Sequence, residues 1–128
     1  MGRFPAISLR LDLGPGRRLG PGKIDLLAEI ATKGSITAAA RAMGMSYRRA
    51  WLLVAECNRL FGAPLVRSAA GGTRGGGAAL TPLGRKVIAA FRAIEGTAAR
   101  GARKHLAAIA GGKPLKPRKA SARRSKPT

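Results

Sequence analysis

The chain has 128 residues, with 25 Lys plus Arg against 5 Asp plus Glu and a formal net charge of +20. That length holds one small domain plus tails. Hydrophobic residues fill 45% of positions, but 25 of those are alanine, so the chain can build one modest core and not two. The lone cysteine excludes an internal disulfide and a multi-cysteine metal cluster, and the lone histidine excludes any site that needs a pair. Five scattered carboxylates offer little material for acid–base chemistry. These counts argue against an enzyme, with no cofactor and no metal expected, and for a polyanionic partner.

The opening Met-Gly-Arg-Phe-Pro has no apolar run of the signal-peptide kind, and Ala6 breaks the myristoylation pattern. No window approaches the ~18 continuous apolar residues of a membrane span. The expected setting is the cytoplasm, at the nucleoid, with no membrane partner. Charge is unevenly spread: all acids lie at or before Glu95, and residues 96–128 hold ten basic residues and none that is acidic.

In chain order, residues 6–13 alternate, with Ile7, Leu9, Leu11 and Leu13 on one face and Ser8, Arg10 and Asp12 on the other. Period two predicts a half-buried strand. GPGRRLGPG (14–22) reads as a linker, because its spacing does not match a dinucleotide-binding loop. Ile24, Leu27, Ala28, Ile30 and Ala31 then follow helical spacing, with Pro21 suited to the first turn and Gly34 ending the helix. Ser35 caps a short second helix, Ile36–Met43, and Gly44 stops it. Ser46 caps a third helix, 46–61 with its cap. Its core stripe is Ala50, Leu53, Val54, Cys57, Leu60 and Phe61; Arg48, Arg49, Leu52, Glu56 and Arg59 face the other way. Trp51, close to Val54, is assigned to the interior, and Cys57 is read as a small buried hydrophobe.

Two short apolar pieces around a glycine-rich loop predict a β-hairpin over 67–80. Its glycines lack the Gly-Lys-Ser/Thr ending of a nucleotide-binding loop. Thr81-Pro82 opens a last helix through Leu83, Val87, Ala90, Phe91 and Ile94, whose pattern continues past Gly96 and Gly101. His105 is read as solvated. Residues 111–128 hold seven basic residues and almost no apolar side chain, which predicts a disordered basic arm. The division is therefore 1–19 strand and linker, 20–110 domain, 111–128 tail.

The unit Ser35–Phe61 has the layout of a helix-turn-helix: a short helix, a Gly44-Met45 turn, and a longer helix led by Ser46-Tyr47-Arg48-Arg49. Small Ala39 and Ala40 let the helices approach, and Ile36 and Met45 fill the angle between them. The second helix would project its first residues into a major groove, and its free N–H groups favour phosphate. The stretches GSITAAARAMGMSYRRAW and NRLFGAPLVRSAAGGTRGGGAALTPLGRKVI resemble the DNA-binding domain of ModE-type molybdate-responsive regulators and, more distantly, the LysR-type winged domain. The resemblance covers residues 20–95. It implies a mainly α fold with a small β-hairpin, a winged helix-turn-helix, acting as a dimer on double-stranded DNA. It places recognition residues at Ser46, Tyr47, Arg48 and Arg49 and the wing tip at Thr73 and Arg74.

Members of that family carry C-terminal oxyanion-binding β-domains. Here helix and basic tail follow instead, so molybdate sensing is not carried over and no small-molecule effector is expected in this chain. The expected DNA contacts are Ser35, Thr37, Ser46, Tyr47, Arg48, Arg49, Leu52, Thr73 and Arg74. Tyr47 fits either DNA contact or packing. Tail residues Lys113, Lys116, Arg118, Lys119, Arg123, Arg124 and Lys126 would add nonspecific phosphate contacts. Helix 1 and the last helix are the expected dimer surfaces. Two other readings stay open: a nonspecific architectural DNA-binding protein, and a sensor-less adaptor that binds a partner regulator.

Overall fold

The computed structural model describes residues 6–69 and 77–110. Its elements run β1 (Leu11–Gly14), β2 (Arg17–Leu19), α1 (Pro21–Lys33), α2 (Ile36–Ala42), α3 (Tyr47–Leu60), β3 (Val66–Ala69), β4 (Gly77–Leu80) and α4 (Pro82–Ala110). This is the expected α+β winged helix-turn-helix, with small antiparallel strand pairs and a long last helix. The expected wing-tip residues Thr73 and Arg74, and the seven tail residues from Lys113 to Arg118, Lys119 and on to Lys126, lie outside the described residues.

The N-terminal segment differs from the expected strand and linker. Alternation holds from Ile7 to Leu13 in burial, but only Leu11–Gly14 forms strand. The supposed linker is the rest of a hairpin: β2 pairs antiparallel with β1, Leu11 opposite Leu19 and Asp12 opposite Arg18. Gly-Pro-Gly makes a tight turn here as readily as it makes a spacer. Burial decides which: Leu19 is sealed in the core, and Arg17 reaches the far end of α3. There its guanidinium donates from Nε (3.0 Å) and Nη2 to the Leu60 carbonyl, one of the acceptors that a helix C-terminus leaves free.

α1 is the central helix. It packs against α2, α3, α4 and β4, which explains why Ile24, Leu26, Leu27 and Ile30 are all fully buried. Leu26 joins the core, whereas Ala31, expected on the stripe, is exposed. The large apolar side chains of this helix, expected as one dimer surface, are buried within the chain. Pro21 stands in the first turn, and the Gly34 N–H closes the helix onto the Ile30 carbonyl at 2.8 Å.

β3 and β4 form an antiparallel pair from Val66 opposite Leu80 to Ala69 opposite Gly77. The pair is tied to the α1–α2 turn, since the Ala78 N–H donates to the Gly34 carbonyl at 2.9 Å and Ser35 bridges Gly77. Thr81 caps α4: its hydroxyl accepts from the Gly84 N–H (3.0 Å) and donates to the Pro64 carbonyl (2.8 Å). At 29 residues, α4 would measure about 43 Å at ~1.5 Å per residue. Its buried residues, Gly84, Val87 and Phe91, all lie in its first ten. Arg92 adds an ion pair to Asp25 of α1 at 3.1 Å.

Candidate nucleic-acid interface

The turn between α2 and α3 sets the site. Gly44 takes φ +69°, the left-handed region that a side chain disfavours, and its N–H bonds to the Arg41 carbonyl at 3.1 Å. The Met45 N–H returns to the Ala40 carbonyl at 3.0 Å, so α2 ends in a tight reversal. Buried Ala39 and Ala40 allow the close approach, and half-buried Ile36, Met43 and Met45 pack against the core beside them.

Both expected caps are present. The Ser35 hydroxyl accepts from the Ala38 N–H at 2.9 Å, and the Ser46 hydroxyl accepts from the Arg49 N–H at 3.0 Å. Ser35 is half-buried and engaged in capping and in the bridge to Gly77, whereas Thr37 and Ser46 are exposed. Along α3 the buried line is Ala50, Val54, Cys57 and Leu60. Arg48, Leu52 and Arg59 stand on the opposite side at i, i+4 and i+11, all exposed. Tyr47 and Trp51 occupy one flank and Arg49 the other. Tyr47 is 53% exposed, which decides its open assignment against core packing.

Trp51, expected in the interior, is instead 51% exposed. One step from Ala50 rotates a side chain by about 100° around a helix, off the buried line, and among the described residues no neighbouring element covers that flank. Tyr47, Arg48, Trp51 and Leu52 together line a cleft of about 370 Å³.

Electrostatics isolates this surface. Asp12 pairs with Arg10 and Arg18, Asp25 and Glu95 with Arg92, Glu29 with Lys33, and Glu56 with Lys23. Those pairs use every carboxylate side chain in the sequence. Among the described residues, Arg48 and Arg49 therefore have no acidic side-chain partner, and the helix N-terminus adds its own positive end. Arg41, Arg59 and Arg67 are also exposed and without an acidic partner among the described residues. Arg41 and Arg67 were not singled out from sequence, because a lone arginine on α2 or on a strand has no pattern to mark it.

Asn58 was missed as well. Its Oδ1 accepts from the Leu65 and Val66 N–H groups at 2.7 and 3.0 Å, and its Nδ2 donates to the Val66 carbonyl at 3.3 Å. One amide thus joins α3 to the base of the wing. Cys57 is buried, and burial pushes its thiol up to about 12 against the opposing charge of nearby Lys23, which disfavours the reactive thiolate. Among the described residues, no helix is long and apolar enough to cross a membrane.

A family profile for bacterial regulatory helix-turn-helix proteins of the lysR family matches residues 22–85, from α1 into α4. The chain is similar to the molybdenum-pterin-binding protein MopB of Rhodobacter capsulatus, 54% identical over 80 residues, covering 62% of this chain and 30% of that protein. It is 41% identical over 87 residues to the molybdenum transport protein ModE of Azotobacter vinelandii, 68% of this chain and 32% of the relative. Against the DNA-binding transcriptional dual regulator ModE of Escherichia coli it is 46% identical over 68 residues, 53% of this chain and 26% of the relative. The chain thus spans about a quarter to a third of the length of these relatives.

Proposed function

Because the chain belongs to the lysR family of bacterial regulatory helix-turn-helix proteins, we propose that it is a transcriptional regulator that binds double-stranded DNA in a sequence-specific way, as a homodimer. The observation that carries this reading is the capped start of α3, where exposed Arg48 and Arg49 stand free of every carboxylate side chain in the chain. α3 enters the major groove with Ser46, Tyr47, Arg48, Arg49 and Leu52 toward base edges. Ser35 and Thr37, at the start of α2, lie toward the backbone. Thr73 and Arg74 at the wing grip the neighbouring backbone or the minor groove, and the seven basic residues of 111–128 add nonspecific phosphate contacts.

Dimerisation is supported by α4, which leaves Ile94 41% and Ile109 83% exposed after its first turns have filled the core. A two-fold pair implies an inverted-repeat site with half-sites an integral number of helical turns apart. Kinship with proteins named for molybdenum transport makes molybdenum-handling genes the proposed targets.

The test is selection of bound duplexes from a random pool, followed by competition with random DNA. Arg48→Ala or Arg49→Ala is expected to cost about 1–3 kcal/mol on the selected duplex for each base that the arginine reads. Equal weakening on random DNA reassigns that arginine to phosphate. Equal affinity of the parent protein for selected and random duplexes would refute sequence specificity and favour an architectural role. Sedimentation that shows only monomer at micromolar concentration, with and without duplex, would refute the dimer.

A further inference from the structure

Part of the α3 surface has a chemistry that phosphate binding does not require. Tyr47, Trp51 and Leu52 are 53%, 51% and 49% exposed. They are three of the five large hydrophobic side chains that are exposed among the described residues, and they fall within six consecutive positions. Tyr47 with Trp51, and Arg48 with Leu52, are i,i+4 pairs, so two adjacent columns of side chains line the cleft. Of the four described residues that line it, three are aromatic or aliphatic, and the fourth carries a guanidinium without a carboxylate partner among the described residues. A concentrated apolar patch on an otherwise strongly charged chain marks a binding surface.

Charge selects the occupant. The patch is flanked by Arg48 and Arg49 at the positive end of a helix, in a chain of net charge +20. Its ligand must be polyanionic and yet present apolar points at the depth of a helix face. In the major groove, the apolar group that a base edge displays is the C5-methyl of thymine.

Resting on the DNA-binding reading above, we propose that Tyr47, Trp51 and Leu52 form an apolar reading edge that packs against thymine C5-methyl groups, so that the preferred half-site carries thymines facing this flank of α3. Arg48 holds the polar atoms beside them. Specificity then comes from two sources on neighbouring columns: guanidinium hydrogen bonds and methyl burial.

The experiment replaces thymine by deoxyuridine, one position at a time, in a duplex selected from a random pool by the full chain. That change removes the methyl group and leaves every hydrogen-bonding atom in place. Each thymine that packs against the edge is expected to lose about threefold to tenfold in affinity. Trp51→Ala, and separately Leu52→Ser, should weaken binding to the thymine duplex and shrink the thymine-to-uracil difference at one or more positions. Both side chains are half exposed, so the fold is expected to survive, which circular dichroism checks. Uracil duplexes bound as well as thymine duplexes at every position would overturn the proposal while leaving DNA binding intact. Both variants retaining the full thymine-to-uracil difference would also overturn it. Failure to bind any duplex would remove the DNA-binding reading and this proposal together.

Discussion

Replacing Asn58 by alanine removes the link between α3 and the wing, and the structure supplies the magnitude. Three hydrogen bonds disappear: two accepted by Oδ1 from the Leu65 and Val66 N–H groups, and a longer one donated by Nδ2 to the Val66 carbonyl. Leu65 and Val66 are 0% and 5% exposed, so water reaches the abandoned N–H groups poorly. An unsatisfied buried donor costs about 1–3 kcal/mol. With partial relaxation the total should be about 2–4 kcal/mol, a large share of the ~5–15 kcal/mol that holds a domain together. Asn58→Asp keeps an acceptor for both N–H groups but sets a second carboxylate oxygen against the Val66 carbonyl where Nδ2 donated, so it should recover only part of the alanine loss. Urea denaturation followed by circular dichroism measures both variants, and hydrogen exchange at the Leu65 and Val66 amides shows whether the effect is local. An alanine variant within about 0.5 kcal/mol of the parent, or unchanged exchange at those two amides, would refute the reasoning.

Gly84→Ala should destabilise by more than about 2 kcal/mol, because a Cβ there would stand 2.3 Å from the Leu65 carbonyl oxygen, a backbone atom that cannot rotate away. Thermal unfolding checks this, and a neutral result would mean α4 can slide off the β3 base at no cost. Cys57 gives a pH signature. Its thiol stays protonated in the folded protein to about pH 12, while in the unfolded chain it ionises near 9.0. The folded state thus binds the extra proton, and stability should fall as pH rises through that interval, with a smaller slope in Cys57→Ala. Deleting residues 111–128 should flatten the dependence of log affinity on log salt by about 0.9 for each phosphate that the tail neutralises. A slope identical to that of the full chain, measured by fluorescence anisotropy, would show that the tail neutralises none.

Local chemistry was legible from the sequence. Ser35, Ser46 and Thr81 cap because each hydroxyl needs only the N–H three residues on. Gly44 turns because its own backbone decides, and the helical stripes report the core because a helix repeats every few residues. The resemblance carried by Met45–Trp51 and the glycine-rich wing also pointed correctly to the family.

What depended on the tertiary arrangement was whichever feature had its partner far along the chain. A Gly-Pro-rich stretch is a hairpin and not a linker because Leu19 finds the core and Arg17 finds the Leu60 carbonyl, 43 residues away. Trp51 lies outside because, among the described residues, no element covers that flank of α3. Asn58 joins helix to wing because Pro64 and Gly62 bring Leu65 and Val66 back beside it. Sequence patterns encode each residue's neighbours within a turn or two. Exposure and long-range hydrogen bonds depend on where independent elements dock, and packing of the whole chain decides that.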